Sequence, residues 1–188
     1  KLILLNTGMK LTKQDLKEVF ETSISWLVVF AMLIYGCGKF VQFDGAEFDK
    51  LASEMTGMEL MWAFYGYSKP YVLIIGFFEV LGGVLIFFKR TRIVGALLTS
   101  SILVNIILQD TFYQVNVGAL RAAIIYQLML LIILWMNREK LISGIKRITT
   151  SVKIDQPRKK FYLKLLIAFI LFYCLSLAEY YVCAFTFG

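Results

Sequence analysis

The sequence predicts an all-α polytopic membrane protein: an antiparallel four-helix transmembrane bundle with a fifth, C-terminal transmembrane helix. Three observations carry this. Hydrophobic residues make up 59% of the 188-residue chain. They fall into five apolar segments, near 23–42, 70–88, 93–109, 118–136 and 161–187, and a helix needs about 20 apolar residues to cross the ~30 Å hydrocarbon core. The connections between them alternate in charge, as they do when Lys and Arg collect in short loops on the cytoplasmic side.

The elements follow in order. Residues 1–8 differ in character from the sequence after Met9 and read as a frayed or non-native extension. Residues 1–22 form a cytoplasmic N-terminal segment. Within it, Thr12 followed by Asp15 has the spacing of a helix N-cap with a negative first turn, and Leu16, Val19 and Phe20 share one face. This amphipathic helix is expected to run straight into the first span. That span begins too far into the chain, and is too long, for a cleavable signal, so it is expected to stay in the membrane.

The outer loop, residues 43–69, carries Asp44, Glu47, Asp49, Glu54 and Glu59 against only Lys50 and Lys69. Phe48, Leu51, Met55 and Met58 recur at helical spacing and suggest a short helix lying on the outer leaflet. Met61, Trp62, Phe64, Tyr65 and Tyr67 follow, the aromatic composition of a headgroup belt. Two readings stand side by side: a lid over the bundle, or an ordinary interfacial anchor. Pro70 opens the second span where a missing N–H costs nothing. A basic turn with Lys89, Arg90 and Arg92 leads to a short third span, and a turn containing Asp110 leads to the fourth. Residues 138–160 form a basic cytoplasmic linker with Pro157, and residues 161–188 the fifth helix, which stands apart from the four-helix domain at 23–137.

Every connection votes for one topology, N-terminus cytoplasmic and C-terminus periplasmic. The net charge of +7 then lies where a membrane surface facing anionic lipid wants it and needs no nucleic-acid partner. With no histidine, a His-ligated haem, a His-rich zinc site and His-dependent catalytic arrangements are excluded as usually built, and no metal site is expected. Cys37, Cys174 and Cys183 contain no Cys-x-x-Cys pair, which argues against an independent thiol redox centre. Cys174 and Cys183 would stand ~13 Å apart along one helix and cannot bridge. Cys37 and Cys183 could meet, with packed free thiols as the expectation.

Chemistry should reside in polar groups inside the spans, since a charge at bilayer depth costs at least ~2.5 kcal/mol and seldom stands without a partner. Glu79 lies ~14 Å into the second span, near the midplane. Gly76, Gly82 and Gly83 beside it would let a neighbouring helix come close; Gly36, Gly38, Gly95 and Ala96 are expected at helix contacts too. Lys39 lies near the outer end of the first span. Ser101, Asn105 and Gln109 make a stripe on the third, and Arg121 lies in the first turn of the fourth. Lys39, Glu79, Asn105, Gln109 and Arg121 are thus the candidates for one polar chamber opening outward, as a ligand or proton site. Two alternatives remain: Glu79 pairs with Lys39 or Arg121 only to hold the helices in register, or the two bases snorkel to headgroups and leave Glu79 protonated. Gln127 and Glu179 are weaker candidates.

The succession of GxxKF (Gly36, Lys39, Phe40), a lid-like outer loop, ExxGG (Glu79, Gly82, Gly83), a basic turn, a short third span and a polar-led fourth resembles the DoxX family of small four-helix membrane proteins, over about residues 23–137. The fifth helix departs from that pattern. The resemblance implies a four-helix core in a bacterial inner membrane, with Lys39 and Glu79 at the family's polar pair. The family is mixed, ranging from subunits associated with thiosulfate:quinone oxidation, through partners of redox and oxidative-stress enzymes, to eukaryotic proteins that assist receptor assembly. It supplies no catalytic residue set.

The expected function is therefore an accessory subunit or assembly partner in a redox or envelope complex, not an enzyme by itself, contacting membrane lipid and a protein partner. No intrinsic cofactor is expected; a quinone or lipid is the expected occupant of the chamber. The alternatives are a membrane subunit of a quinone-linked oxidoreductase, and a small proton-coupled transporter using Glu79. The second is disfavoured by the absence of an inverted repeat or broken helices.

Overall fold

The computed structural model describes residues 11–150 and 158–186, and these contain seven helices and no strand. The expectations for residues 1–8 and for Pro157 lie outside the described residues. The helices are α1 (Lys13–Gly38), α2 (Gly57–Tyr67), α3 (Lys69–Phe87), α4 (Arg92–Tyr113), α5 (Val117–Met136), α6 (Arg138–Thr149) and α7 (Arg158–Thr186). Five of them, α1, α3, α4, α5 and α7, are long and apolar enough to cross a membrane, which makes this an α-helical membrane protein.

The chain divides after Ile145 into two compact units. In the first, α1 packs on α3, α3 on α4, α4 on α5, and α5 returns to α1. The ring encloses a core that includes Val28, Met32, Ile86, Leu103, Leu130 and Ile133. The second unit holds α7, whose described side chains are almost all exposed, Glu179 included. The three cysteines are free and exposed, so Cys37 is not the packed thiol that its place in a span suggested.

Local chemistry sets the helix ends. Thr12 and Asp15 form a reciprocal capping box at the start of α1, as their spacing predicts, and amphipathic segment and first span are one continuous helix. Pro70 lies in the first turn of α3. α4 continues past the sequence-based boundary at 109 to Tyr113, and ends where Gln114 takes left-handed dihedrals (φ 51°, ψ 44°). Asn116 then caps α5 by accepting from the Ala119 N–H at 3.0 Å.

One expectation for the connections needs correction. Phe48, Leu51 and Met55 lie in irregular backbone rather than in a helix. The loop's helix is α2, because Thr56 and Glu59 form a second capping box that starts it at Gly57. Within the basic linker, residues Arg138–Thr149 form α6, whose Leu141, Ile142, Ile145 and Ile148 share one face, with Lys140, Lys146 and Arg147 away from it.

Close helix contacts fall at the glycines. A Cβ on Gly36 would stand 2.7 Å from the Gly76 carbonyl oxygen, and one on Gly76 would stand 2.6 Å from the Gly36 carbonyl. Gly82 faces Thr99, Gly83 faces Met32, and Gly95 abuts the Leu85–Ile86 backbone. Gly38, expected among them, has open space around it. Gly57, which spacing did not single out, lies directly against the Tyr113 carbonyl and seats the start of α2 on the end of α4.

At the opposite end, Arg92 is buried (4% exposed). It donates to Glu21 at 3.0 Å and to the Ile86 carbonyl at 3.2 Å, while Asn137 donates to the same Glu21 oxygen at 3.0 Å and to the Ile133 carbonyl. One carboxylate thus joins α1, α4 and the end of α5. Gln127 donates to Ser100 at 2.6 Å, an interhelical bond between α5 and α4.

Three outcomes follow from this packing. Gly83→Leu should destabilise the bundle by about 1–3 kcal/mol or more, since atoms beyond Cβ have no room, whereas Gly38→Ala should be neutral or slightly stabilising; thermal unfolding in detergent distinguishes them. Arg92→Ala should cost about 3–5 kcal/mol in the same assay by leaving Glu21 without its buried cation. Hydrogen bonds from Lys50 and Thr56 hold the exposed Glu59 carboxyl down at about 2. A depressed carboxyl stabilises the fold above its unfolded value near 4.5 and ceases to as pH falls toward 2. Amide protection at the start of α2 should therefore decline across that window, as hydrogen exchange would show.

Candidate functional site

The α1–α3 contact at Gly36 and Gly76 determines where the first polar side chain goes. Lys39 follows as the C-cap of α1, at the negative end of that helix, and its stem lies over Gly76. From there its ammonium reaches Glu79 Oε1 at 3.6 Å, donates to Gln42 at 2.8 Å, and stands 5.7 Å from the centre of the Phe43 ring. Glu79 is 1% exposed. Its second oxygen, Oε2, is buried and has no hydrogen-bond partner.

These groups open into a cavity of about 260 Å³ between α1, α3, α4 and α5, with α2 across its mouth. That is a little below the ~300–1,000 Å³ usual for small-molecule sites. Met58, Met61, Trp62 and Tyr65 of α2 line it, so α2 is placed as a lid. Residues Phe64 and Tyr67 of the same helix face outward. Aromatic rings meet in two groups on the walls: Phe43 stacks on Tyr65 (5.0 Å between centroids) and meets Trp62 edge-on (5.4 Å), while Tyr35 and Tyr126 meet across α1 and α5 at 6.3 Å. Tyr65 donates its hydroxyl to Gln109 at 2.7 Å. Burial pushes the Tyr65 phenol up, so it is a neutral donor. Outside the mouth, Lys69 ties Asp44 and the Phe40 carbonyl to the start of α3, and Lys50 ties Glu47 to Glu59.

Of the five residues expected to converge, Lys39, Glu79 and Gln109 line the cavity. Asn105 does not; it is exposed and accepts from Gln109 Nε2 one turn along α4. Arg121 is exposed on α5 and away from the cavity, the placement of a side chain reaching for headgroups. Ala119, Ala123 and Tyr126 carry the inner face of α5, and a residue two positions from 119 and from 123 points ~200° away from both.

Asp110 is the residue that sequence reasoning misplaced. It is not in a turn but in the last turn of α4, 9% exposed, lining the cavity, with Oδ2 buried and without a partner. Among the described residues it enters no ion pair. The signal was present: Leu103, Ile106 and Asp110 recur at helical spacing on one face. Two further buried oxygens are unpartnered, Thr99 Oγ1 and Gln127 Oε1, but both are neutral. No group of three or more potential metal ligands occurs among the described residues.

No family model matches the chain, and no solved structure matches it significantly. A curated relative does: over 139 residues, 73% of this chain and 88% of the relative, it is 36% identical to the uncharacterized protein YwoB of Bacillus subtilis strain 168. With that identity over that share of both sequences, the chain belongs to the same family as YwoB.

Proposed function

We infer that this is a non-catalytic membrane protein that holds a small molecule in the lidded chamber, as an accessory subunit or assembly partner of a membrane complex. One observation carries the reading. Glu79 is 1% exposed, yet one of its oxygens is left unpartnered on the wall of a 260 Å³ cavity. An unsatisfied charged group buried away from water costs about 1–3 kcal/mol or more, and an occupant with a polar head removes that cost. The body of the occupant would lie against Phe43, Trp62 and Tyr126, and its head against Lys39, Glu79 and Asp110.

A lipid or a quinone is the class that combines such a head with an apolar body, and the DoxX likeness points the same way. Electron transfer would require a redox partner, since the chain carries no haem, cluster or dinucleotide motif. The charge alternation supports placing the lid on the periplasmic side of a bacterial inner membrane, with the N-terminus inside. A second reading, proton-coupled transport, is favoured by one observation: two buried carboxylates, Glu79 and Asp110, share the cavity with a single lysine.

Native mass spectrometry of the full chain in lipid nanodiscs tests the proposal. A stoichiometric small molecule should accompany the wild type, and Glu79→Gln should lower its affinity about tenfold or more. If small-molecule content is unchanged while thermal stability shifts, Glu79 is a structural charge. Proton flux into proteoliposomes abolished by the same variant would favour transport.

A further inference from the structure

The expected chamber, with Lys39 and Arg121 facing Glu79, would carry a net positive charge and suit an anionic or carbonyl head. The observed one reverses that sign. Among the described residues lining the cavity there is one cation, Lys39, against two carboxylates, Glu79 and Asp110. Lys39 is already engaged with Glu79 and Gln42. Asp110 has neither a cation nor a hydrogen bond for its buried Oδ2, and it stands in the last turn of α4, where the helix dipole adds further negative potential.

Resting on the reading of the chamber as a ligand site, we propose that its ligand presents an organic ammonium group, seated between Asp110 and the free oxygen of Glu79. Three features beyond the carboxylates select that chemistry. Tyr35, Phe43, Trp62, Tyr65 and Tyr126 are among the lining residues, aromatic rings attract cations through their quadrupole, and the Lys39 ammonium already stands over the Phe43 ring. An inorganic cation would find two carboxylates beside amide oxygens that already accept hydrogen bonds, Gln42 from Lys39, Gln109 from Tyr65 and Asn116 from the Ala119 N–H, whereas hard cations take six or more oxygen ligands. The loop outside the mouth carries Asp44, Glu47, Asp49, Glu54 and Glu59 against Lys50 and Lys69, a field that draws cations toward the lid. The ammonium can belong to an aminophospholipid head or to a soluble amine.

The test is calorimetric titration of the full chain in nanodiscs of phosphatidylglycerol, a lipid without an amine, with empty nanodiscs as the blank. The probes are choline and its uncharged carbon isostere 3,3-dimethylbutanol, butylammonium and butanol, and menadione as a neutral quinone. At least one ammonium probe should bind about ten- to hundredfold more tightly than its uncharged counterpart. Asp110→Asn should remove that margin, and an unaltered helix content by circular dichroism shows that the variant is folded. If Asp110→Asn fails to fold, Glu79→Gln, which likewise cancels the excess negative charge, takes its place. Neutral probes or menadione binding as well as or better than the ammonium probes would overturn the cationic head and leave the chamber standing as a ligand site. No binding by any probe would overturn both. Phosphatidylethanolamine added to the nanodiscs separates the sources: it weakens ammonium binding if the natural ligand is an aminolipid and leaves it unchanged if the ligand is a soluble amine, and either result supports the ammonium assignment.

Discussion

The separation of α1 and α3 where Gly36 meets Gly76 is the constraint on which the rest of the site depends. Two missing side chains let each backbone approach the other's carbonyl more closely than any Cβ would permit. Little hydrophobic driving force acts between helices in lipid, so such close approach is a main source of cohesion. It has a second effect here. The next residues after Gly36 turn inward over Gly76, and Lys39 arrives at Glu79 with most of its stem already covered; its side chain is only 11% exposed. Packing and electrostatics are therefore one event, because the contact that closes the bundle also delivers the cation to the buried carboxylate.

The lid depends on the same economy of backbone. Gly57 rests against the Tyr113 carbonyl, which fixes the start of α2 on the end of α4, and the Thr56–Glu59 capping box fixes its direction. Trp62 and Tyr65 then fall inward, and Phe64 and Tyr67 outward. Tyr65 reaches Gln109, so one hydrogen bond couples lid to bundle across the mouth. Ring contacts of Phe43 with Trp62 and Tyr65, and the Lys50–Glu59 ion pair, add to that hold on the lid.

Much of this was legible in the sequence, and the failures share a physical cause. Glu79 stood out because a carboxylate flanked by glycines at mid-span admits few explanations, and Lys39 because it ended the first span. The Thr12–Asp15 cap, Pro70 and four of the glycine contacts beyond Gly36 followed from spacing alone. What hydropathy does not reveal is azimuth. Asn105 and Arg121 were at the right depth but on the wrong faces, which the small residues Ala119 and Ala123 would have indicated for α5. Asp110 was lost for the opposite reason, since a charge at the end of an apolar run reads as the end of the span, yet α4 continues to Tyr113. Arg92 was hidden among its neighbours, because the topology rule accounts equally well for every basic residue in a short turn, including the one that is buried.

The two ends of the bundle provide a comparison within one molecule. At the basic turn, Arg92 and Asn137 both donate to Oε1 of Glu21, and Arg92 also donates to the Ile86 carbonyl. A buried ion pair that serves only to hold helices in register has that form, since each remaining lone pair left bare would subtract from its worth. At the lid end, a second set of charges is comparably buried and yet incompletely paired, with Lys39 at 3.6 Å from Glu79 and two buried carboxylate oxygens, on residues that line a cavity, without partners. Among the described residues, no buried polar atom of the Glu21, Arg92 and Asn137 cluster is left unpartnered, although that cluster lines a cavity of its own. The contrast supports the proposal that the lid-end cluster receives an occupant, and under that proposal its excess of carboxylates would limit what the occupant can be.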